Sequence, residues 1–227
     1  MGVNSHVLRF MVILTAVWVP ATSLQAQNLH QGVQLGYYGD AGVNMTLDFE
    51  NLNPQLGVSV GFHGGYSYQF DSGNAEDARR IFINDATGGT IEKHGQAVRI
   101  GADIRIQLLQ QNDIELRLYG GPRGSFYKGH YAFIGDNEEF DISSNQAGLE
   151  LGFQGVLPVH ERLDLTLSAG FSYFFPATLE GHGKYLYSPD GVDDNPRNEF
   201  TWEDADKAVD QPGFEIPVLL GIRWKLR

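Results

Sequence analysis

The side chains of this chain that could do chemistry include one histidine with serines on the same side of the backbone. His63 alternates in phase with Ser59 and Ser67. A histidine within hydrogen-bonding reach of a serine hydroxyl can activate it for attack on an acyl group. No His-x-Ser pair occurs in the chain, and His63 falls in the middle of an alternating segment. We therefore predict that His63 is an interior residue hydrogen-bonded to its neighbours, and we predict no catalytic residue.

A second candidate is an acidic turn near the C-terminal end of the chain. Asp190, Asp193 and Asp194 surround Gly191, and carboxylates of this kind are ligands for hard divalent cations such as calcium. The segment lacks the spacing and the distal glutamate of an EF-hand loop. The alternative is an acidic rim that only keeps the loops solvated. His94, His130, His160 and His182 show no ligand spacing, and the sequence predicts no cofactor.

The third group consists of charges of both signs that recur at every second residue. Its members are Arg99, Asp103, Arg105, Glu115, Arg117, Arg123 and Glu150. They lie on consecutive predicted strands and on the face that otherwise carries glycine, serine and His63. Buried charges are tolerated when they are paired, so we predict that these seven, with His63, form a network inside a closed sheet.

The elements that position these residues are β-strands. From Leu56 to Phe70 almost every second residue is apolar, which is a strand period and not a helical one. About ten tilted residues cross a bilayer, and this segment is longer. The same alternation, with a turn at Gly39–Gly42, predicts eight strands, at about 29–38, 43–51, 55–70, 97–109, 114–127, 145–157, 163–175 and 213–226. Pro217 predicts a break in the last strand.

Short and long connections alternate along the chain. The long ones are predicted at 71–96, 128–144 and 176–212, on a side where only the first hairpin is tight, and short turns join the strands at the other end. This order is typical of an up-and-down barrel. The long connections carry 18 acidic and 7 basic residues, nearly the whole net charge of −12. A surface this acidic repels a phosphate backbone, so nucleic acid is excluded as a partner.

The N-terminal residues 1–26 have the pattern of a secretory signal peptide. Arg9 precedes an apolar run from Phe10 to Val19, and Ala26 suits the position before cleavage. Residues 27–227 are then one barrel domain. The chain contains no cysteine, so the sheet and burial must hold the fold without disulfides.

The size of the side chains indicates which face of the barrel is inside. The polar face is rich in glycine and serine, whereas the apolar face carries large residues that would overfill an eight-stranded interior. The apolar face therefore contacts lipid. Aromatic residues are expected at both membrane interfaces, namely Phe49, Tyr66, Tyr68, Phe70, Phe126, Tyr173, Phe175 and Trp224.

With these features the chain resembles the outer membrane protein β-barrel family, the small eight-stranded barrels that include the transmembrane domain of outer membrane protein A. The resemblance rests on architecture and covers the predicted mature chain. It implies an all-β, eight-stranded antiparallel up-and-down transmembrane barrel in the bacterial outer membrane, surrounded by lipid and lipopolysaccharide, as a monomer. The implied function is structural or a surface interaction with an unknown partner. The alternatives are an enzyme that modifies lipid A acyl chains, since such families share the strand count, and a narrow pore.

Overall fold

The computed structural model describes residues 28–53, 55–181, 185–191, 194, 197 and 199–226. The predicted signal peptide at 1–26 lies outside these ranges. The strands are β1 (Asn28–Tyr37), β2 (Ala41–Asn53), β3 (Val58–Gln69), β4 (Thr90–Gln111), β5 (Ile114–Ile134), β6 (Glu138–His160), β7 (Leu163–Phe174), β8 (Leu179–Glu180), β9 (Leu186–Tyr187), β10 (Phe214–Glu215) and β11 (Val218–Lys225). The helices are α1 (Ala75–Phe82) and α2 (Trp202–Ala208).

Eight of the strands close into a ring. Strands β1 to β7 pair in sequence order, β7 pairs with β11, and β11 pairs with β1, always antiparallel. The predicted eight-stranded up-and-down barrel is confirmed. Closure matters because backbone groups at an open sheet edge would have no partner in lipid.

The two faces of the sheet separate by size and polarity as the sequence predicts. Leu151 and Phe153 on β6 are 57% and 52% exposed, whereas Arg99 and Ser125 on neighbouring strands are 1% exposed. Phe174, an exception to the alternation, faces inward and is buried. The large apolar side chains therefore form the outer surface, and the interior is polar.

The turn between β1 and β2 lies where the glycine cluster predicts it. Gly39 has a φ of 81°, which a glycine adopts without strain. The turn is shorter than the predicted Gly39–Gly42, because Gly42 already lies within β2 and has no positive φ.

The prediction of a long loop at 128–144 is wrong. Strands β5 and β6 continue through it and meet at a short turn over Gly135–Asn137, where Asn137 has a φ of 54°. The apolar residues Tyr131, Phe133, Phe140 and Ile142 keep the period of two that stabilises a sheet. Nearby glycine and charged residues conceal this period in the sequence. Strand β4 likewise begins at Thr90, seven residues before the predicted start.

Helix α1 occupies part of the predicted loop at 71–96. The Asn74 side chain accepts hydrogen bonds from the backbone N–H groups of Glu76 and Asp77, at 3.2 and 3.3 Å, and so caps the helix. Ala78 and Phe82 are fully buried on one side of the helix.

The connection at 176–212 contains helix α2 and the short strands β8 and β9. Thr201 and Asp204 form a capping box at the start of α2. After α2 the last strand is interrupted at Ile216–Pro217, between β10 and β11, so the predicted break at Pro217 is confirmed. Neither α1 nor α2, nor any other helix in the described ranges, is long and apolar enough to span a membrane.

Candidate functional site

The interior of the barrel holds a network of ion pairs. Each arginine in it contacts at least one carboxylate. The arginines are Arg99, Arg105, Arg117, Arg123 and Arg223, and the carboxylates are Asp48, Glu50, Asp103, Glu115, Glu150, Asp164 and Glu215. The partners come from different strands, so the network ties opposite walls of the barrel together.

Arg123 connects two carboxylates at the middle of the barrel. Its guanidinium lies 2.7 Å from Asp103 and 2.8 Å from Glu150. The Tyr119 hydroxyl donates a hydrogen bond of 2.8 Å to Glu150, and the Ser172 hydroxyl donates another of 2.8 Å. Because the Glu150 carboxylate and the Arg123 guanidinium both have several partners, their charges are compensated despite burial.

Glu50 gathers two guanidinium groups toward the end of the barrel that carries the short turns. It accepts hydrogen bonds from Arg117 and Arg223. Arg117 also lies 2.7 Å from Glu115, and Arg223 lies 2.7 Å from Asp164. This layer therefore joins β2, β5, β7 and β11 across the interior.

Arg99 and Glu215 form a pair beneath the β1–β2 turn. The Arg99 Nη2 group donates a hydrogen bond of 2.8 Å to Glu215. The guanidinium also lies 4.5 Å from the centre of the Tyr38 ring and 5.4 Å from that of Phe174. The two rings and the carboxylate surround the cation on the side of the long connections.

The structure brings together the residues that the sequence predicts for the interior. Seven of them form the ion pairs above, and the His63 side chain is buried beside Asp103. Sequence reasoning missed Asp48, Glu50, Asp164, Glu215 and Arg223. All five occupy inward positions of the same alternating pattern, so the phase of each strand was the signal that could have found them.

The His63 side chain makes no hydrogen bond in the described structure, in contrast to the predicted bonds to its neighbours. Neither ring nitrogen has a partner, and Nε2 lies 3.8 Å from the nearest Asp103 oxygen. The cavity beside it has a volume of about 20 Å³. That is room for about one water molecule. No Ser–His pair is formed among the described residues.

Beyond the barrel, two long connections and the tip of the β5–β6 hairpin fold into a compact unit, which we call the head (described residues of 71–96, 128–144 and 176–212). Its core contains aromatic rings from β5 and β6, with Tyr131 stacked on Phe140 at 5.2 Å. Phe82 of α1 packs edge-on against Tyr187 of β9 at 5.1 Å. The head therefore has an apolar core of its own.

Arg79 fastens α1 to the β5–β6 hairpin in the head. It forms ion pairs with Asp136 and Glu138, and its guanidinium lies 4.3 Å from the centre of the Phe133 ring. The carboxylates counteract the desolvation of the buried cation, and together they raise the pKa of Arg79. The helix is thereby held against the sheet.

The acidic turn predicted to bind a cation is only partly described. Asp193 lies outside the described residues, whereas Asp194 forms a β-bridge with Leu186. In the described ranges, no three histidine or acidic side chains come together as metal ligands. The cation site at Asp190, Asp193 and Asp194 stays a prediction.

Comparison with known proteins identifies the fold. No protein-family model and no curated protein matches the chain. The structure is similar to a major outer membrane protein of Thermus thermophilus, with 24% identity, a TM-score of 0.68, and coverage of 88% of this chain and 98% of that one. The chain has the fold of an outer membrane β-barrel. Neisserial surface protein A and Acinetobacter baumannii CarO2 also align, over 88% and 87% of this chain and 96% and 98% of theirs, at 12% and 11% identity and TM-scores of 0.40 and 0.42.

The outer surface of this outer membrane β-barrel carries the apolar belt that the class requires. Leu35, Ile104, Leu167 and Leu220 are each more than half exposed and come from four different strands. In water such a surface would be unfavourable, whereas lipid accommodates it. The aromatic residues Phe70 and Tyr173 lie on the same outer face at the end nearest the head.

Proposed function

We propose that this chain is an integral outer membrane protein whose interior is closed to ions and whose head serves a structural or surface-interaction role. Lipid and lipopolysaccharide surround the belt of the monomeric barrel in this proposal. The observation that carries it is the ion-pair network, which crosses the interior at three levels and leaves little space beside it.

The small cavity in the middle of the barrel supports a closed interior. This cavity, beside Arg123 and Glu150, has a volume of about 20 Å³. A hydrated ion needs a continuous row of water molecules, whereas this volume suits about one. Displacing a guanidinium would leave a buried carboxylate without its partner, which is costly in a low-dielectric interior.

The head supports a role at the surface. It carries most of the net negative charge of the chain and has its own apolar core. Surface loops positioned by a rigid scaffold are common sites of recognition.

Conductance in a planar bilayer tests the closed interior. We expect no stable openings for the purified protein, because Arg105 and Arg123 fill the middle of the barrel. The double variant Arg105→Ala/Arg123→Ala removes both guanidinium groups and leaves Asp48, Asp103 and Glu150. This variant should show resolved, cation-selective openings.

Arg80→Ala is the matched control. Arg80 lies on the exposed side of α1, so this substitution removes the same kind of side chain outside the barrel. This variant should produce no channel openings in the bilayer. Stable openings of the unmodified protein, at a frequency that scales with the amount of protein added, would contradict the closed interior.

A further inference from the structure

An open cavity lies in the head where α2 meets the end of β7. Its volume is about 440 Å³, and its walls come from β6, from the segment Tyr173–Pro176 and from Trp202–Gly213. Ligand pockets have volumes of this order, about 300 to 1,000 Å³. The cavity shares no lining residue with the small cavity inside the barrel.

One wall of the cavity is apolar and held in place. The Trp202 indole Nε1–H donates a hydrogen bond of 3.0 Å to the Ala177 carbonyl, which fixes the orientation of the ring. Tyr173 and Pro176 line the cavity nearby and are exposed. An oriented, partly exposed indole offers a flat apolar surface at low cost in conformational entropy.

The other wall carries polar groups of complementary types. The Asp210 carboxylate accepts hydrogen bonds and the Lys207 ammonium donates them, and both are exposed residues that line the cavity. Gln211 donates a hydrogen bond to Asp206, which orients its amide at the cavity. The oxygen Oε1 of Gln146, a lining residue that is 94% buried, is also without a partner in the described structure.

We propose that this cavity binds a saccharide unit. Vicinal hydroxyl groups on one ring both donate and accept hydrogen bonds, so they can satisfy the Asp210 carboxylate and the Lys207 ammonium together. The apolar C–H face of the same ring packs on the Trp202 indole.

The charges of the wall disfavour phosphorylated ligands. These are repelled by Asp206, Asp210 and the acidic residues Asp71 and Asp40 that interact with Asp210. A simple cation is attracted by the same carboxylates and repelled by Lys207, so choline serves as the competing ligand in the test. A neutral polyhydroxylated ring is repelled by neither sign of charge.

This inference rests on the proposed surface role of the head and names the chemical class of its partner. The saccharide is either free or part of the sugar region of lipopolysaccharide beside the barrel. Saccharide binding does not depend on the closed interior, because the conductance measurement concerns Arg105 and Arg123 inside the barrel. A failure of saccharide binding and a failure of the closed interior are therefore distinguishable.

Tryptophan fluorescence can measure binding directly. Trp202 and Trp224 are the tryptophans that follow the predicted signal peptide, so the variant Trp224→Phe leaves Trp202 as the reporter in the cavity. The detergent-solubilised variant is titrated with glucose, galactose, mannose and N-acetylglucosamine, and separately with choline and inorganic phosphate. We expect a saturable change with at least one sugar at millimolar concentration and none with choline or phosphate.

Variants of the polar wall decide whether the cavity is the site. Asp210→Ala and Lys207→Met should each weaken sugar binding at least tenfold in the Trp224→Phe background. Both residues are exposed, and heat-dependent gel mobility confirms that each variant is folded. Arg80→Ala, on α1 and away from the cavity, should leave the affinity unchanged.

A second arm identifies the source of the sugar. Purified lipopolysaccharide is compared with lipid A that lacks the sugar region, under the same conditions. Binding of a free sugar, or of lipopolysaccharide but not of lipid A, supports the proposal. The proposal is overturned if no sugar and no lipopolysaccharide produces a saturable change, or if choline or phosphate binds instead. It is also overturned if lipid A binds as well as lipopolysaccharide when free sugars do not bind. A third contradicting result would be folded variants that bind sugar as tightly as their parent.

Discussion

At the scale of single residues, the barrel interior shows why small residues alternate with charged ones. A Cβ atom on Gly61 would lie 2.5 Å from a guanidinium nitrogen of Arg105, and one on Gly152 would lie 2.6 Å from the Tyr119 hydroxyl. These glycines make room for the large polar groups opposite them. Removing one partner from a buried pair costs about 3 to 5 kcal/mol, because the other charge stays buried. The network therefore depends on complete pairing.

Asp210 carries a testable pH dependence at the head. Partial burial raises its pKa, and the negative charges of Asp71 and Asp40 raise it further. A carboxyl group with a raised pKa in the folded state favours folding when protonated, so its contribution is present at low pH. The contribution is lost as the pH rises from the ordinary aspartate value through the raised one. We expect Asp210→Asn to slow hydrogen exchange of the α2 amides at pH 7 and to have little effect below pH 4.

Asp141 is the matched control, because its pKa is shifted in the opposite direction. Burial raises its pKa, but hydrogen bonds from Lys128 and His130 outweigh that effect and the pKa is lowered overall. Its contribution is present at neutral pH and is lost as the pH falls through the lowered value. Asp141→Asn should therefore accelerate exchange of the β6 amides at pH 7. Equal effects of both variants on exchange would contradict the assignment of Asp210 as an unfavourable charge.

At the scale of elements, the head consists of strand extensions and two capped helices. The signals for the helices are local: Asn74 before an acidic first turn, and the Thr201–Asp204 capping box. The apolar spacing of Ala75, Ala78 and Phe82 agrees with a helix as well. Both helices are short, and isolated helices of this length are unstable, so their stability comes from packing in the apolar core of the head.

Asn74→Ala tests the cap of α1. The substitution removes the acceptor for two backbone N–H groups and should cost about 1 kcal/mol of local stability. That corresponds to about fivefold faster hydrogen exchange for the amides of Ala75–Phe82. Gln55→Ala, in an exposed turn at the opposite end, should change none of these rates. Unchanged exchange in α1 would show that packing alone holds the helix.

At the scale of the whole molecule, the outer surface divides into a lipid-facing belt and an acidic head. Leu151 and Ile134 are similarly exposed, at 57% and 52%, yet Leu151 lies on the wall of the barrel and Ile134 at the tip of the β5–β6 hairpin. Exposed apolar residues therefore lie in two different environments in this chain. Leu151 contacts lipid, and Ile134 contacts water.

Arginine substitutions measure where the bilayer ends. Leu151→Arg should destabilise the folded protein in lipid vesicles by about 2 to 4 kcal/mol, because the cation would face hydrocarbon. Ile134→Arg introduces the same side chain into water and should change stability by less than about 0.5 kcal/mol. Reversible denaturant unfolding in vesicles gives both values. Equal costs at the two positions would overturn the assignment of the belt.

The sequence by itself determined the barrel, its strand number and which face is inside. A period of two and a difference in side-chain size are local properties, and each strand repeats them. Only the tertiary structure decided that 128–144 is sheet, that α1 and α2 form, and that Glu50, Glu215 and Arg223 join the interior network. Burial in the head stabilises segments whose local pattern is ambiguous, and pairing across a closed ring joins residues far apart in the chain. Neither effect exists until the ring has closed.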